Sequence, residues 1–115
     1  MTENKKTVEI FMDGFNKSDH KQILSCLTDD VEWVMPGAFH LVGKDAFDKE
    51  IEKANFVGRP VVTITRIIEE NDVVVAEGKV VVEKKEGGYL NGVFCDVFIM
   101  EDAKIKQLTS YLNDI

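Results

Sequence analysis

Residues 91–112 read NGVFCDVFIMEDAKIKQLTSYL, which is two apolar runs joined by a short polar turn. The runs are Val93–Met100 and Ile105–Leu112, and the turn is Glu101–Lys104. Two apolar runs separated in this way are typical of a β-hairpin. Because side chains alternate between the two faces of a strand, the same stretch also predicts which residues share a face.

A single acid, Asp96, interrupts the first strand of this hairpin. Alternation places it on the same face as Phe94, Phe98 and Met100. A carboxylate among aromatic rings is costly to bury, so we expect Asp96 to have hydrogen-bond partners, a shifted pKa or a function. One interpretation is a carboxyl that lines a ligand pocket. The other is a structural acid, which is hydrogen-bonded to a neighbouring side chain or lies in water at the pocket entrance.

The first half of the chain has helical periodicity around one short strand. The first helix follows Thr2, and its apolar residues recur at three- and four-residue spacing: Val8, Phe11, Met12 and Phe15. Asp19 is expected to cap a second helix, with Gln22 at the capping-box position. Val31–Met35 reads as a strand, and a third helix is predicted after Gly43.

After Gly58 the chain reads as sheet, with strands over Val61–Ile68 and Val73–Glu83 before the hairpin. Helices at the front and four consecutive antiparallel strands at the back predict an α+β fold, with three N-terminal helices packed on one face of a curved antiparallel sheet. A length of 115 residues suits one domain, residues 1–115.

The later strands are apolar on both faces. In Val73–Glu83 one face carries Val74, Ala76, Val80 and Val82, and the other carries Val73, Val75 and Val81. An antiparallel sheet usually turns one polar face to water. We therefore expect a homodimer formed through the outer face of the sheet.

The composition excludes several classes of function. The chain has 21 acidic and 14 basic residues and a net charge of −7, which argues against nucleic acid. Its two cysteines, Cys26 and Cys95, have no zinc-site spacing, so we expect no metal and no cofactor. No signal peptide and no membrane-spanning run is evident, and a cytoplasmic location is expected.

Several phrases in this order resemble the nuclear transport factor 2-like superfamily, and within it the SnoaL-like and ketosteroid-isomerase-like proteins. They are Leu27–Trp33, Val42–Phe47, and Cys95–Phe98 continuing to Lys104–Lys106 and Tyr111. The resemblance covers nearly the whole chain. It implies a cone-shaped (cystatin-like) curved sheet closed by helices, with a deep apolar pocket for a small hydrophobic ligand. That superfamily contains isomerases, cyclases, hydrolases and transport adaptors, so the fold alone does not name a reaction.

The isomerase pattern carries over only in part. Ketosteroid isomerase uses an Asp base and an oxyanion hole made by a Tyr and a protonated Asp. Asp96 falls in the phrase that matches the protonated Asp, but Met35 occupies the position of the base, just before Pro36, and Phe11 that of the Tyr. Neither a thioether nor a phenyl ring transfers a proton, so the family's usual mechanism is disfavoured.

Two further sets of residues are candidates for the site. His40 is the only other plausible general base, near the pocket entrance by resemblance, and an exposed loop histidine is the alternative; His20 is expected to face solvent. Ligand contacts are expected from aromatic and apolar side chains, for which core packing is the alternative: Phe11, Phe15, Trp33, Met35, Phe39, Phe56, Phe94, Phe98 and Tyr111.

The sequence therefore predicts a small-molecule-binding protein, with Asp96 as the pocket acid of an acid–base enzyme that needs no metal. The reaction would be an isomerase, cyclase or hydrolase reaction on a hydrophobic substrate. The alternative is a non-catalytic ligand-binding or dimerisation module.

Overall fold

A computed structural model describes residues 1–52 and 56–115. The elements follow in the order α1 (Glu3–Lys17), α2 (His20–Ser25), β1 (Leu27–Met35), β2 (Phe39–Val42), α3 (Lys44–Ile51), β3 (Phe56–Glu70), β4 (Val73–Lys84), β5 (Tyr89–Glu101) and β6 (Lys104–Asp114). The predicted α+β fold is confirmed. Within the described ranges, no helix is both long and apolar enough to cross a membrane.

The six strands form one curved sheet in the order β2-β1-β6-β5-β4-β3. Strands β3 to β6 pair antiparallel with their chain neighbours, as predicted. The sheet is nevertheless mixed, because β1 pairs parallel with β6, with Trp33 opposite Leu108. This pairing joins residues far apart in the sequence, and local alternation contains no signal for it.

The first two helices begin where the capping residues indicate. The side chain of Thr2 accepts a hydrogen bond from the Lys5 amide, and that of Asp19 accepts one from the Gln22 amide. The core between helices and sheet is made of fully buried apolar side chains, each stabilising the fold by roughly 1.5–3 kcal/mol; the largest are Phe11, Phe47, Phe98, Ile23, Ile105 and Leu108.

His20 lies at the surface as expected, with its side chain 37% exposed, and it also joins α2 to α3. Its Nδ1 lies 2.5 Å from Asp48 Oδ1, and its Nε2 lies 2.5 Å from Glu52 Oε1. The hydrogen bond with Asp48 first, and that with Glu52 second, raise the pKa of His20 and favour its charged form. Alternation within a helix does not reveal this contact, because both partners come from another element.

Two glycines on the inner face of the sheet allow large side chains to lie against its backbone. A Cβ atom at Gly78 would lie 2.6 Å from Cζ of Phe94 and closer still to the carbonyl oxygen of Thr63. At Gly92 it would meet side chains first, Cδ1 of Leu112 at 2.7 Å. Glycine at these two positions therefore makes room for Phe94 and Leu112.

We expect Gly78→Ala to lower the free energy of unfolding by about 1–3 kcal/mol, because the new methyl group overlaps a backbone carbonyl that cannot move alone. Gly92→Ala should cost less, since the end of the Leu112 side chain can rotate away. Urea unfolding of the two variants measures both values. Equal losses, or no loss at Gly78, would contradict this account of the close approach.

Candidate functional site

Asp96 lies in the middle of β5, on the inner face of the sheet. Its register partners are Ala76 in β4 and Ser110 in β6. These small neighbours leave the space above the carboxyl unfilled, and Asp96 is only 9% exposed. The predicted face is confirmed, because Phe98 and Met100 are buried on the same side.

A hydrogen-bonded chain connects Asp96 to β1. The Trp33 Nε1–H donates to Ser110 Oγ over 3.0 Å, and the Ser110 side chain is hydrogen-bonded to Asp96. Because Ser110 Oγ accepts from the indole, its own proton is available for the carboxyl. The Trp33 ring is itself fixed by stacking on Phe47, with centroids 4.4 Å apart. Ser110 is not among the predicted site residues, although its parity in β6, one residue from the outward-facing Tyr111, places it on the inner face.

Burial raises the pKa of Asp96 to about 7, while the hydrogen bond from Ser110 opposes that rise. The carboxyl therefore has both of its protonation states accessible near neutral pH. A group of this kind can donate a proton or a hydrogen bond in one state and accept in the other.

Asp96 opens onto a small apolar space, here called the inner cavity. Its volume is about 130 Å³, close to that of an engineered apolar cavity that binds benzene. Asp96 and Ser110 provide the polar groups at one end of it. The described residues that line it are Phe11, Met12, Phe15, Trp33, Met35, Val62, Val80, Phe94, Asp96, Leu108, Ser110 and Leu112.

A wider space, the outer cavity, has a volume of about 560 Å³. It adjoins the inner cavity, since Trp33, Met35, Val80 and Leu112 line both. The other described residues that line it are partly charged: Ser18, Glu50, Ile51, Glu52, Phe56, Gly58, Arg59, Pro60, Val82, Lys85 and Leu90.

The residues expected to contact a ligand are divided by the structure into two groups. Six of them line a cavity. The inner cavity is lined by Phe11, Phe15, Trp33, Met35 and Phe94. The outer cavity is lined by Phe56 and again by Trp33 and Met35. The other three line neither. Phe98 is fully buried against Phe11, Phe39 packs edge-on against Trp33 at 5.2 Å, and Tyr111 is 51% exposed on the opposite face.

His40 is not brought to Asp96. It lies exposed in β2 opposite Val34, with its Nε2 2.8 Å from Glu32 Oε1, and it lines neither cavity. The resemblance implied a position for His40 near the pocket entrance. The β1–β2 hairpin places it outside the cavities instead.

The raised pKa of Asp96 has a consequence for stability. The folded chain holds the Asp96 proton more tightly than the unfolded chain does. The contribution of this proton to the free energy of unfolding is therefore complete below the ordinary pKa of 3.8, and it is lost as the pH rises towards about 7. The loss is at most about 4 kcal/mol. We expect Asp96→Asn to abolish this decline, so that the variant gains stability relative to wild type between these pH values.

Urea unfolding at a series of pH values measures this difference. Asp102→Asn is the matched control, because it neutralises an exposed acid in a turn and should keep the wild-type pH profile. Parallel profiles for wild type and Asp96→Asn would show that the carboxyl is not protonated by burial.

Solved structures share this architecture. An LEH-like epoxide hydrolase from M. tuberculosis superposes with a TM-score of 0.84 and 19% identity, over 96% of this chain and 83% of its own. TerC, co-crystallised with polyporic acid, has a TM-score of 0.89 and 22% identity, over 97% of this chain and 92% of its own. A nuclear transport factor 2-like protein of unknown function from Burkholderia pseudomallei has a TM-score of 0.87 and 20% identity, over 98% of this chain and 92% of its own. At these identities the likeness shows the fold.

The sequence comparison is more specific about the family. A search of curated proteins finds no match. The profile of the SnoaL-like domain, however, matches residues 8–108, which include the β1 strand, Asp96 and most of the cavity lining. The resemblance noted from the sequence is thereby confirmed, and this chain belongs to the SnoaL-like domain family.

Proposed function

We propose that the protein binds a small apolar molecule in the two adjoining cavities, with the neutral carboxyl of Asp96 donating a hydrogen bond to a carbonyl or hydroxyl oxygen of that molecule. One observation carries this proposal: a buried carboxyl with a pKa of about 7 is the single titratable side chain among the described residues that line the inner cavity. An apolar pocket with a few convergent polar groups and a perturbed pKa is the usual form of a ligand site.

The shape of the cavities supports a ligand with a narrow end. The inner cavity suits one six-membered ring or a short branched chain, and the larger remainder would lie in the outer cavity. The names of two similar proteins refer to small organic molecules, an epoxide in one and polyporic acid in the other.

Acid–base chemistry follows from the same group. A general acid works best when its pKa is near the working pH, and Asp96 meets this condition. Met35 and Phe11 line the inner cavity without a transferable proton, and His40 lies elsewhere. In a reaction at this site Asp96 would therefore be the proton donor, and would take the proton back in a later step.

The proposal predicts a pH-dependent affinity. Cyclohexanone fits the inner cavity and carries a carbonyl acceptor, so we expect its affinity to fall roughly tenfold as the pH rises through the pKa of Asp96. Asp96→Asn still donates but does not titrate, and its affinity should be constant with pH. Fluorescence of Trp33, the single tryptophan, reports binding because its ring lines the cavity.

Asp102→Asn again serves as the control and should follow wild type. Cyclohexane, which lacks the carbonyl, should bind with no dependence on pH. An affinity for cyclohexanone that is unchanged by pH or by Asp96→Asn would contradict the role of Asp96 as donor.

A second candidate function is self-association, as a non-catalytic module. Val81, Ile99 and Tyr111 on the outer face of the sheet are 38%, 41% and 51% exposed. Val75, Val93 and Val97 lie half-buried on the same face between them. A face this apolar is favourably covered by a second copy.

We expect the wild type to sediment as a dimer at micromolar concentration, and Val81→Lys to raise the dimer Kd at least tenfold by placing a charge in the interface. Ile10→Lys is the control, since it adds the same charge to α1, on the opposite side of the sheet. A strict monomer at high concentration would contradict the dimer.

A further inference from the structure

We propose that the ligand carries an anionic group, a carboxylate or a phosphate, at the end opposite Asp96, and that Arg59 and Lys85 bind this group in the outer cavity. This inference rests on the proposed function and adds to it the class of ligand and its orientation. Two basic side chains from different elements line the same cavity, which is the observation that carries it.

A distortion of β3 places Arg59 at this cavity. Val57 pairs with Glu83 and Val61 with Val81, so three residues of β3 lie opposite one residue of β4. The segment Gly58–Pro60, which has two more residues than the partner strand, forms an irregular bulge in which Gly58 has a φ of 70°. Bulges redirect side chains and are frequent beside functional sites. Lys85 comes from the turn after β4, so the two cations converge on the outer cavity from separate segments.

The charges already present in the outer cavity leave these cations available. Glu52 is paired with His20, and Glu50 also has an interaction partner. Arg59 and Lys85, by contrast, take part in none of the ion pairs found among residues 1–52 and 56–115. In a chain with a net charge of −7, two unpaired cations facing one cavity complement an anion.

The surroundings strengthen such an interaction. Apolar side chains form much of the wall beside the cations: Ile51, Phe56, Val80, Val82, Leu90 and Leu112. Both cations are exposed, so the apolar walls make a charge pair only modestly stronger than it is in open water. The guanidinium of Arg59 offers a planar pair of donors to a carboxylate or phosphate, and Lys85 adds a point charge.

The same charges orient the ligand. An anion beside Asp96 would have to lie in the apolar inner cavity, next to a carboxyl that is itself partly ionised near neutral pH, so the inner end excludes it. The anionic end therefore points outwards to Arg59 and Lys85. The apolar end with its neutral oxygen points inwards to Asp96 and Ser110.

Three probes with the same alkyl chain test this inference: decanoate, decyl phosphate and decan-1-ol, titrated by Trp33 fluorescence below the pKa of Asp96. We expect wild type to bind at least one of the two anions roughly tenfold more tightly than the alcohol. The preference should shrink with added salt. Which anion binds better distinguishes a carboxylate ligand from a phosphate ligand.

Arg59→Gln/Lys85→Gln should remove this preference, because it should lower the affinity for the anion much more than the affinity for decan-1-ol. Lys6→Gln/Lys21→Gln removes the same charge from the exposed surface of α1 and α2, and should keep the preference. All the substituted side chains are exposed or at the surface, so urea midpoints should stay at the wild-type value and verify folding.

The outcomes separate the two proposals. Binding of decan-1-ol without a preference for either anion, or a preference that survives Arg59→Gln/Lys85→Gln, overturns the anion inference alone and leaves the cavity as a ligand site. Failure of all three probes to perturb Trp33 contradicts both this inference and the proposed function.

Discussion

The buried carboxyl of Asp96 is the constraint on which the site depends. A carboxyl in an apolar cavity is tolerated because it can remain protonated and because Ser110 supplies a hydrogen bond. Ser110 in turn accepts from Trp33, so three strands contribute to one hydrogen-bonded chain. The arrangement lowers stability as the acid ionises. A cost of this kind is common where function, rather than packing, selects a residue.

The fold places this chain of hydrogen bonds at the base of a tapering space. The parallel pairing of β1 with β6 brings Trp33 alongside β6, and Phe47 of α3 holds its ring from above. Glycines at 78 and 92 let the side chains of Phe94 and Leu112 approach the backbone of the sheet closely. Together these contacts leave a narrow inner cavity and a wider outer one. Helices, sheet and small residues thus act jointly to keep apolar volume unfilled.

The charges of the molecule are distributed along the same axis. The inner end has a carboxyl that is neutral when protonated, and the outer end has two cations from a bulge and a turn. The acids beside those cations already have partners, including the His20 bridge to α3. A ligand with one neutral polar end and one anionic end would match this gradient in a single orientation.

The sequence by itself determined the three helices, five of the six strands, the caps of the first two helices, the faces of β4 and β5 and the position of Asp96 among aromatic rings, because these follow from local periodicity and capping chemistry. The family was also recognisable from its ordered phrases. Only the tertiary structure decided that Ser110 and Trp33 form a hydrogen-bonded chain with Asp96, and that His40 lies outside the cavities. It also decided that His20 bridges two acids, and that Arg59 and Lys85 line the same cavity. The physical reason is strand pairing and packing that local periodicity does not encode. A hairpin turns His40 away from the cavities, and a parallel strand pair, a bulge and helix packing join residues far apart in the chain.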